Sequence, residues 1–233
     1  MVLSDRLEMI LSLVPAGCIP ADIGTDHGFV PVELVRRGLC PSAFAMDVRK
    51  GPLARATEHI RMAGLTEKIE VRLSDGFAAL QKGEANAAII AGMGGGLMAR
   101  ILLNGSEVTE RFTYLILSPH SEAFRVRQIL PELGFSIEEE KMVREDGKFY
   151  PGILAVRKKD MIREPDHFLE DRFGPVLLRK KDPILKEYLV WQDGIIEGIL
   201  SGLSGEGENV SLRRDELETE RACIRKAFTR YYA

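Results

Sequence analysis

Residues 21–28 form a segment of small and charged side chains between two apolar runs, and their types and spacing suit ligand binding. The segment reads Ala21-Asp22-Ile23-Gly24-Thr25-Asp26-His27-Gly28. Glycine adopts backbone angles that other residues avoid, so its two glycines let a ligand approach the main chain. If residues 18–23 are a buried strand and 29–37 a helix, the turn lies at the carboxyl edge of a sheet, where open α/β folds bind nucleotides. The residues expected at this ligand are Gly24, Thr25 and Gly28.

The turn does not match the dinucleotide-binding fingerprint, because Asp26 stands where G-x-G-x-x-G has its second glycine. A carboxylate at this point would repel a pyrophosphate, which disfavours a nicotinamide enzyme. Two further acids follow predicted strands: Asp47 ends the strand at residues 42–47, and Asp75 follows the strand at residues 69–73. An acid before a glycine turn, with a second acid at the end of the next strand, is typical of a site for S-adenosylmethionine. We therefore predict that cofactor.

Each acid has a distinct predicted partner on the cofactor. Asp22, together with Gly24, faces the amino acid portion, and Asp47 takes both ribose hydroxyls in a bidentate grip. Asp75 accepts from the exocyclic amine of the adenine, with the backbone at Gly76 beside the ring. Aspartate is also a common helix cap, so capping or turn-making stays open for Asp47 and Asp75 taken singly. Their recurrence at successive strand ends favours a nucleoside ligand.

A glycine-rich segment follows the fourth predicted strand and reads Gly92-Met93-Gly94-Gly95-Gly96. Its small residues would let the cofactor and the methyl acceptor meet without obstruction from side chains. No Lys-Ser/Thr follows it as in a Walker loop, and a tight strand-to-helix turn is the alternative interpretation. We assign Gly92, Met93 and Gly94 to the cofactor and Gly95 to the substrate.

Two other segments could act on the acceptor. Ser118-Pro119-His120 closes the fifth predicted strand and either lines an acceptor pocket, as we predict, or simply stops the strand at its proline. Asp26 and His27 could point outward over the cofactor and orient the acceptor, and they are the predicted catalytic pair. His27 could equally be a loop histidine bonded to backbone. Because it has no neighbouring Cys or His, no metal site is predicted.

These segments come together only in a parallel sheet, and the hydrophobic pattern predicts one. Five apolar strand candidates alternate with helical periods after a first helix at residues 1–13, and an antiparallel pair at residues 135–143 and 150–156 closes the series. A short helix is expected at residues 77–80. Strict β-α alternation with two-sided apolar strands indicates an α/β fold, a parallel sheet with helices on both faces and an antiparallel edge. Together with the predicted S-adenosylmethionine site, we expect a class I (Rossmann-like) methyltransferase sheet.

The composition changes beyond residue 158, and we place a domain boundary there. Residues 1–158 are predicted to bind S-adenosylmethionine, and residues 159–233 to form a helical domain. Helical apolar spacing at 184–203 and 212–232, on either side of a polar stretch, predicts a C-terminal antiparallel helical hairpin that resembles a coiled coil. The candidate seam residues are Leu178, Leu185, Leu189, Leu217 and Ile224.

The bulk composition limits the classes of protein that fit. The chain has 233 residues, of which 45% are hydrophobic, and no apolar run is long enough to span a membrane. Its three cysteines, Cys18, Cys40 and Cys223, are widely spaced, which favours a reducing cytoplasm. Because the formal net charge is −3, a polyanion would need local basic patches. The clearest patches are Arg157-Lys158-Lys159 and Arg179-Lys180-Lys181.

Taken together, these motifs resemble the bacterial TrmK family of S-adenosylmethionine-dependent tRNA methyltransferases. The resemblance rests on residues 21–28, on Ala91-Gly92-Met93-Gly94-Gly95 and on the C-terminal helices, and it covers essentially the whole chain. It implies methylation of the N1 atom of the adenine at nucleotide 22 in the tRNA D-arm. The fifth strand of the family usually ends in a Gln-Pro-Asn-like segment, whereas this chain has Ser118-Pro119-His120.

The resemblance also implies a partner and roles for individual residues. The partner is tRNA, gripped by hairpin cations that include Arg179, Lys180 and Lys181, and the protein would be a cytoplasmic monomer or weak dimer. Asp26 would counter the charge on the methylated ring or accept from its amine, with His27 supporting or positioning it. Two other classes stay open: a methyltransferase of a small molecule or protein, and a non-catalytic RNA-binding protein. Cofactor titration and a tRNA methylation assay separate the three.

Overall fold

The computed structural model describes residues 3–158, 167–204 and 207–232. It divides into two compact units, Met1–Asp166 and His167–Ala233. The predicted domain boundary at residues 158 and 159 lies beside the segment 159–166, which is outside the described residues.

A seven-stranded sheet is the framework of the first unit. Its strands are β1 Pro20–Ile23, β2 Ala43–Asp47, β3 Ile69–Leu73, β4 Ala87–Ala91, β5 Tyr114–Ser118, β6 Phe135–Glu145 and β7 Lys148–Arg157. The order across the sheet is β3-β2-β1-β4-β5-β7-β6, in which β1 to β5 are parallel and β7 is antiparallel to both its neighbours. The strand order reverses between β1 and β4, which opens a crevice at their carboxyl ends. The predicted α/β fold with an antiparallel edge is confirmed.

Helices cover both faces of this sheet. They are α1 Asp5–Ser12, α2 Phe29–Arg36, α3 Lys50–Met62, α4 Gly95–Asn104, α5 Ser106–Thr109 and α6 Ala123–Ile129. Alternate residues of β4 enter different clusters: Ile90 packs with Met98 of α4, and Ile89 packs with Leu34 of α2. Because strand side chains alternate between faces, this two-sided burial is what the apolar sequence of β4 requires.

The predicted short helix at residues 77–80 is wrong, since residues 76–79 form a turn. The Ser74 hydroxyl donates to the carbonyl oxygen of Gly76 at 2.9 Å and accepts from the Ala79 amide at 3.0 Å. Such side-chain bonds compete with the backbone bonds of a helix. Phe77 then turns inward, and its ring meets that of Phe112 edge to face.

One member of a candidate basic patch has a structural role, because Arg157 contacts the core of the first unit. Its guanidinium donates to the carbonyl oxygens of Phe112 at 2.8 Å and Thr109 at 2.6 Å, and it lies over the Phe135 ring. Arg157 therefore satisfies backbone carbonyl groups within the first unit. Lys159 of the same triplet lies outside the described residues.

The second unit is helical. Its elements are α7 Phe168–Phe173, α8 Pro175–Arg179, α9 Pro183–Gly202, α10 Glu208–Ala227 and a π-helical segment, Phe228–Tyr232. The helices α7 and α8 were not predicted. The Asp182 carboxylate caps α9 by accepting from the amides of Ile184 and Leu185, both at 2.9 Å. Such a cap fixes where a helix begins.

Contacts between α9 and α10 run in opposite directions along the two helices. Near one end, Arg214 donates to the carbonyl oxygen of Leu203 at 3.1 Å, and further along Arg221 pairs with Asp193 at 2.9 Å. The five candidate seam residues, Leu178, Leu185, Leu189, Leu217 and Ile224, are all buried. Among the described residues, no helix has both the length and the apolar character needed to cross a membrane.

Candidate functional site

The three predicted cofactor acids lie at the ends of three neighbouring strands. Asp22 stands beside Ala45 of β2 in the register, and Asp47 stands beside Leu73 of β3. Asp47 is therefore two positions further out than Asp22, and Asp75 is two positions beyond Asp47. Asp22 and Asp47 are buried, whereas Asp75 is exposed. The result is a diagonal row of carboxylates at the carboxyl edge of the sheet.

Asp22 is electrostatically unusual. Burial raises the pKa of its carboxyl group to about 6, the neighbouring Thr25 side chain opposes this shift, and the charge of Asp47 adds to it. A buried carboxylate near a second carboxylate lacks positive charge around it. A cationic ligand group would supply that charge, which fits the ammonium of an amino acid or a sulfonium.

Asp47 already takes part in a turn. Its Oδ1 accepts from the Arg49 amide at 2.6 Å, and the Arg49 Nε lies 3.5 Å from the same oxygen. The turn-making role that the sequence left open is thus present. A carboxylate has acceptor sites beyond those two contacts, so this anchoring orients Asp47 while leaving capacity for ligand hydroxyls.

A cavity of about 600 Å³ opens beside Asp75. Its lining includes Asp75, Gly76 and Phe77 from the turn after β3 and Leu97, Arg100 and Ile101 from α4. A carboxylate beside apolar side chains suits a flat heteroaromatic ring that carries an amine. The predicted adenine site is therefore next to a space that can hold a ring.

The turn after β1 is hydrogen-bonded to β2 and packs closely against the loop after β4 and against α3. The amides of Gly24 and Thr25 donate to the carbonyl oxygen of Met46 at 2.8 and 2.9 Å. Gly24 has φ +79°, and a Cβ there would lie 2.9 Å from Cε of Met93. Gly28 has φ +66°, and a Cβ there would meet Ala56 at 3.3 Å. Both glycines are needed by the backbone angles and by close packing, beyond any ligand.

The predicted catalytic pair, Asp26 and His27, is in contact, with 3.7 Å between Oδ1 and Nε2. Asp26 is exposed and accepts from Arg55 at 2.9 Å, and this bond lowers the pKa of its carboxyl group. His27 has φ +57° and stacks on Phe29, with the ring centroids 5.2 Å apart. Its carbonyl oxygen lies 2.9 Å from Nδ1 of His59. Asp26 is thus an ionised, oriented carboxylate.

The loops after β4 and β5 are joined by backbone hydrogen bonds. The Gly92 amide donates to Ser118 at 3.2 Å, the His120 amide to Met93 at 2.9 Å, and the Gly95 amide to Ser121 at 2.8 Å. These three bonds hold the predicted cofactor loop and the predicted acceptor loop as one layer.

Gly95 has a packing role in this layer. A Cβ at Gly95 would lie 2.3 Å from the carbonyl oxygen of Glu122, closer than any side chain tolerates. Gly95 itself is buried. The sequence predicts direct substrate contact for Gly95, whereas its surroundings indicate that it is a glycine so that α4 can begin against the loop after β5.

The three predicted tRNA cations, Arg179, Lys180 and Lys181, lie in the second unit. They are consecutive, exposed residues at the end of α8 and in the turn before α9. Arg179 also donates to the carbonyl oxygen of Pro175 at 3.1 Å. In residues 3–158, 167–204 and 207–232, no group of three His, Cys, Asp or Glu side chains is arranged to hold a metal ion.

Comparison with known proteins agrees with this geometry. Residues 3–153 match the model of a family described as a methyltransferase domain. Over 153 residues the chain is 37% identical to the tRNA (adenine(22)-N(1))-methyltransferase of Bacillus subtilis, a stretch covering 66% of this chain and 64% of that enzyme. The crystal structure of the B. subtilis m1A22 tRNA methyltransferase TrmK is 29% identical, with a TM-score of 0.86, covering 97% of this chain and 98% of that one. This chain belongs to the TrmK family.

The crystal structure of a Streptococcus pneumoniae protein described as a putative tRNA (m1A22) methyltransferase, in complex with S-adenosyl-L-methionine, is 32% identical to this chain, with a TM-score of 0.85. The likeness covers 97% of this chain and 99% of that one, so both units have counterparts in the relative. The sequence match to the B. subtilis enzyme, in contrast, spans slightly less than two thirds of that relative.

Three residues that the fold brings to this edge were given no site role by the sequence: Arg6, Arg55 and Tyr150, of which Tyr150 was interpreted as structural. Arg55 lies 29 positions after its partner Asp26, and Arg6 contacts His120, which is 114 positions away. Nothing in the local pattern around Arg6 or Tyr150 marks a site, because both belong to segments whose apolar spacing already explains them. Only the tertiary fold brings them to the sheet edge.

Proposed function

We propose that this chain transfers a methyl group from S-adenosylmethionine to the N1 atom of an adenine in tRNA, at nucleotide 22. The observation that carries the proposal is the diagonal row of Asp22, Asp47 and Asp75 opposite the joined loops after β4 and β5. Membership of the TrmK family supports the choice of acceptor. The proposed protein is a cytoplasmic monomer or weak dimer.

The residues of the sheet edge fit this cofactor. Asp22 and the backbone at Gly24 would hold the amino acid portion, and Asp47 would accept from the ribose hydroxyls. Asp75, with Gly76 beside the ring, would accept from the adenine amine. Buried carboxylates favour a cationic ligand over one that carries phosphates, which agrees with the lack of a positive side chain in the turn after β1. Bound there, the cofactor would supply an electrophilic methyl group.

On the acceptor side, the protein has little proton chemistry to perform. The N1 atom of neutral adenine has a free lone pair and no proton, so alignment and charge stabilisation matter more than a strong base. Asp26 is ionised at neutral pH, a state that Arg55 reinforces by lowering its pKa, and it can stabilise the positive charge that develops on the ring. His27, in contact with Asp26, would position it.

Since N1 lies on the Watson–Crick edge, the adenine must be unpaired or turned out of its helix before it reacts. Cations of the second unit would then hold the tRNA backbone, and Arg179, Lys180 and Lys181 are the leading candidates. Arg213 is available only in competition with Glu216, to which it is paired at 2.9 Å. Recognition by backbone contacts suits A-form RNA, whose deep groove exposes little sequence.

The decisive experiment is incubation of the protein with labelled S-adenosylmethionine and unmodified tRNA, followed by mapping of the methylated nucleoside. We expect 1-methyladenosine at nucleotide 22. Intact cofactor binding without transfer to tRNA would contradict the acceptor assignment and favour a small-molecule or protein substrate. Absence of cofactor binding would favour a non-catalytic RNA-binding protein.

A second experiment tests the tRNA grip. Replacing Arg179, Lys180 and Lys181 together by Gln should raise the Kd for tRNA at least tenfold and leave the cofactor Kd unchanged, because phosphate contacts dominate affinity. The matched control removes three exposed cations of the first unit. It replaces Arg61, Lys68 and Lys82 by Gln. An equal loss in both triple variants would show only a general effect of net charge.

A further inference from the structure

The edge of the sheet beside the loop after β5 holds a small cluster of which only His120 belongs to the predicted acceptor segment. It consists of Arg6 from α1, His120 from the loop after β5 and Tyr150 from β7. Nη1 of Arg6 lies 2.6 Å from Nε2 of His120. The Arg6 guanidinium is 5.3 Å from the centre of the Tyr150 ring, and the His120 ring meets Tyr150 edge to face at 5.2 Å. Each member therefore touches the other two.

The cluster lies next to the predicted methyl-transfer point. A Cβ at Gly92 would be 3.9 Å from Cε1 of His120 and 4.0 Å from Nη1 of Arg6. The Gly92 amide is bonded to Ser118, and the adjacent Met93 contacts the turn at Gly24. Arg6 and His120 are thus one residue layer away from the cofactor turn, on the side opposite the carboxylate row.

The Arg6–His120 contact fixes the state of the imidazole. An arginine only donates hydrogen bonds, so Nε2 of His120 must accept, which requires a neutral ring with its proton on Nδ1. Burial and the charges of Arg6 and Lys148 lower the pKa of His120, which agrees with a neutral ring. The pair therefore carries one positive charge, located on the guanidinium.

Glu145 Oε1 accepts from the Arg6 backbone amide at 3.4 Å, but the Arg6 guanidinium itself, unlike those of some other arginines of the first unit, has no carboxylate partner among the described residues. Arg37 and Arg55 pair with carboxylates at 2.6 and 2.9 Å. In the part of the chain that the structure describes, no carboxylate pairs with the Arg6 guanidinium, and its Nε is buried without a hydrogen-bond partner. A cation that is oriented by a neutral ring and an aromatic face, and left without a carboxylate, is suited to an external anion.

We propose that Arg6, held in place by His120 and Tyr150, binds a backbone phosphate of the nucleotide that is methylated. This inference rests on the proposed function. A phosphate is favoured over the base because methylation makes the adenine ring positive, and a cation beside the ring would oppose that charge. In this arrangement the Asp26 carboxylate lies near the adenine ring of the acceptor nucleotide, and the Arg6 guanidinium binds its phosphate.

His120 is a positioning residue in this arrangement, since it acts through Arg6. Replacing it with Asn keeps an oxygen acceptor for the guanidinium, whereas Ala removes the acceptor. We therefore expect His120→Asn to retain tRNA binding within about threefold and His120→Ala to weaken it, because a lost hydrogen bond frees the Arg6 rotamers. In the double variant Arg6→Gln/His120→Ala, the His120 change should add nothing to the effect of Arg6→Gln.

The main test measures binding of a fluorescent, unmodified tRNA transcript by anisotropy at several salt concentrations. Arg6→Gln should raise the tRNA Kd about tenfold, as expected for a charge-assisted bond to phosphate. It should also reduce the slope of log Kd against log salt concentration by about one. The Kd for S-adenosylmethionine should stay within about twofold of wild type. The matched control is Arg61→Gln, which removes an exposed arginine of α3 and should leave the slope unchanged.

Several outcomes would overturn the inference. A folded Arg6→Gln protein with the wild-type tRNA Kd and salt slope would do so, as would an equal change in Arg61→Gln or additive effects in the double variant. If Arg6→Gln does not fold, Arg6→Lys and His120→Ala give the same readouts, with a raised tRNA Kd expected for both. Failure of the proposed function is separate, because the wild-type protein would then transfer no methyl group to tRNA.

Discussion

The two halves of the sheet edge are built in different ways. At the ends of β1, β2 and β3, each predicted ligand contact comes from the strand or turn itself, and the side chains are carboxylates. At the ends of β4, β5 and β7, the surface is assembled from loops joined by backbone bonds, with a cation and two rings above them. The first half suits a cationic cofactor, and the second suits an anionic polymer.

The two halves therefore depend on different properties of the chain. The carboxylate half depends on single side chains, so its function should respond to conservative substitutions. The loop half depends first on close packing, so replacing a tightly packed glycine there should lower the stability of the fold. Four predictions test this contrast, from the largest expected effect to the smallest.

In the carboxylate half, Asp47→Asn should weaken binding of S-adenosylmethionine about 100-fold, because two charge-assisted bonds to the ribose become weak ones. The amide oxygen can still accept from Arg49, so the fold should be kept. Calorimetric titration measures the effect. Asp215→Asn, at an exposed site of α10, is the control and should bind normally. An unchanged Kd in Asp47→Asn would leave Asp47 with only its turn-making role.

In the loop half, Gly95→Ala should lower the free energy of unfolding by about 2–3 kcal/mol, because the new Cβ overlaps the Glu122 carbonyl. Gly96→Ala is a close control, since its Cβ would meet flexible side chains, Oε2 of Glu122 at 3.1 Å and Cδ of Arg125 at 3.8 Å, and no backbone. We expect that variant to be neutral or slightly more stable, as helix propensity favours alanine. Denaturant unfolding of both proteins measures the difference. Equal stabilities would show that the layer is not tightly packed.

The raised pKa of Asp22 gives the carboxylate half a pH dependence. Below about pH 6 the carboxyl group becomes protonated, so affinity for a cationic ligand should fall about tenfold per pH unit. The stability of the ligand-free protein should move the other way. Because the folded-state pKa lies above the unfolded value, this group favours the folded state below the unfolded pKa and loses that contribution as the pH rises through about 6.

This dependence is measured by titrating the cofactor at about pH 5 and about pH 7.5, on either side of the raised pKa of Asp22. Asp22→Asn cannot ionise, and its affinity should be weak and flat across the same range. A wild-type affinity that does not vary with pH would show that Asp22 does not carry the charge that meets the ligand.

The smallest effect is expected at the junction between the halves. Arg55→Gln breaks the bond to Asp26, yet both side chains are about half exposed or more, at 47% and 64%. Stability should change by less than about 0.5 kcal/mol, since surface ion pairs contribute little. Methyl transfer should slow measurably even though stability hardly changes, because Asp26 loses the cation that orients it. A large loss of stability with normal transfer would make the pair structural.

The same contrast explains how much could be predicted from the sequence. The α/β fold and the row of Asp22, Asp47 and Asp75 were predictable. Apolar runs that alternate with helical periods locate the strands, and the three acids lie directly at the strand ends. The tRNA-related family was predictable from the turn after β1 together with Gly92-Met93-Gly94-Gly95.

The rest depended on contacts between distant segments. Arg6 reaches His120 across 114 positions, and no local pattern encodes that meeting. The helix expected at residues 77–80 failed because the Ser74 hydroxyl competes for the backbone, an effect too local for apolar periodicity to show. The packing role of Gly95 was not predicted, because the sequence does not reveal which backbone lies against it.

The position of β7 between β5 and β6 has a consequence for synthesis of the chain. The outer side of β5 keeps unpaired amides and carbonyls until residues 148–157 have left the ribosome, because its partner there is the last strand to be made. Arg6, translated near the start, must then wait for Tyr150 before its surroundings are complete. The carboxylate half of the edge is therefore complete in the nascent chain before the loop half is, and residues 179–181, the cations proposed to hold tRNA, are synthesised later still.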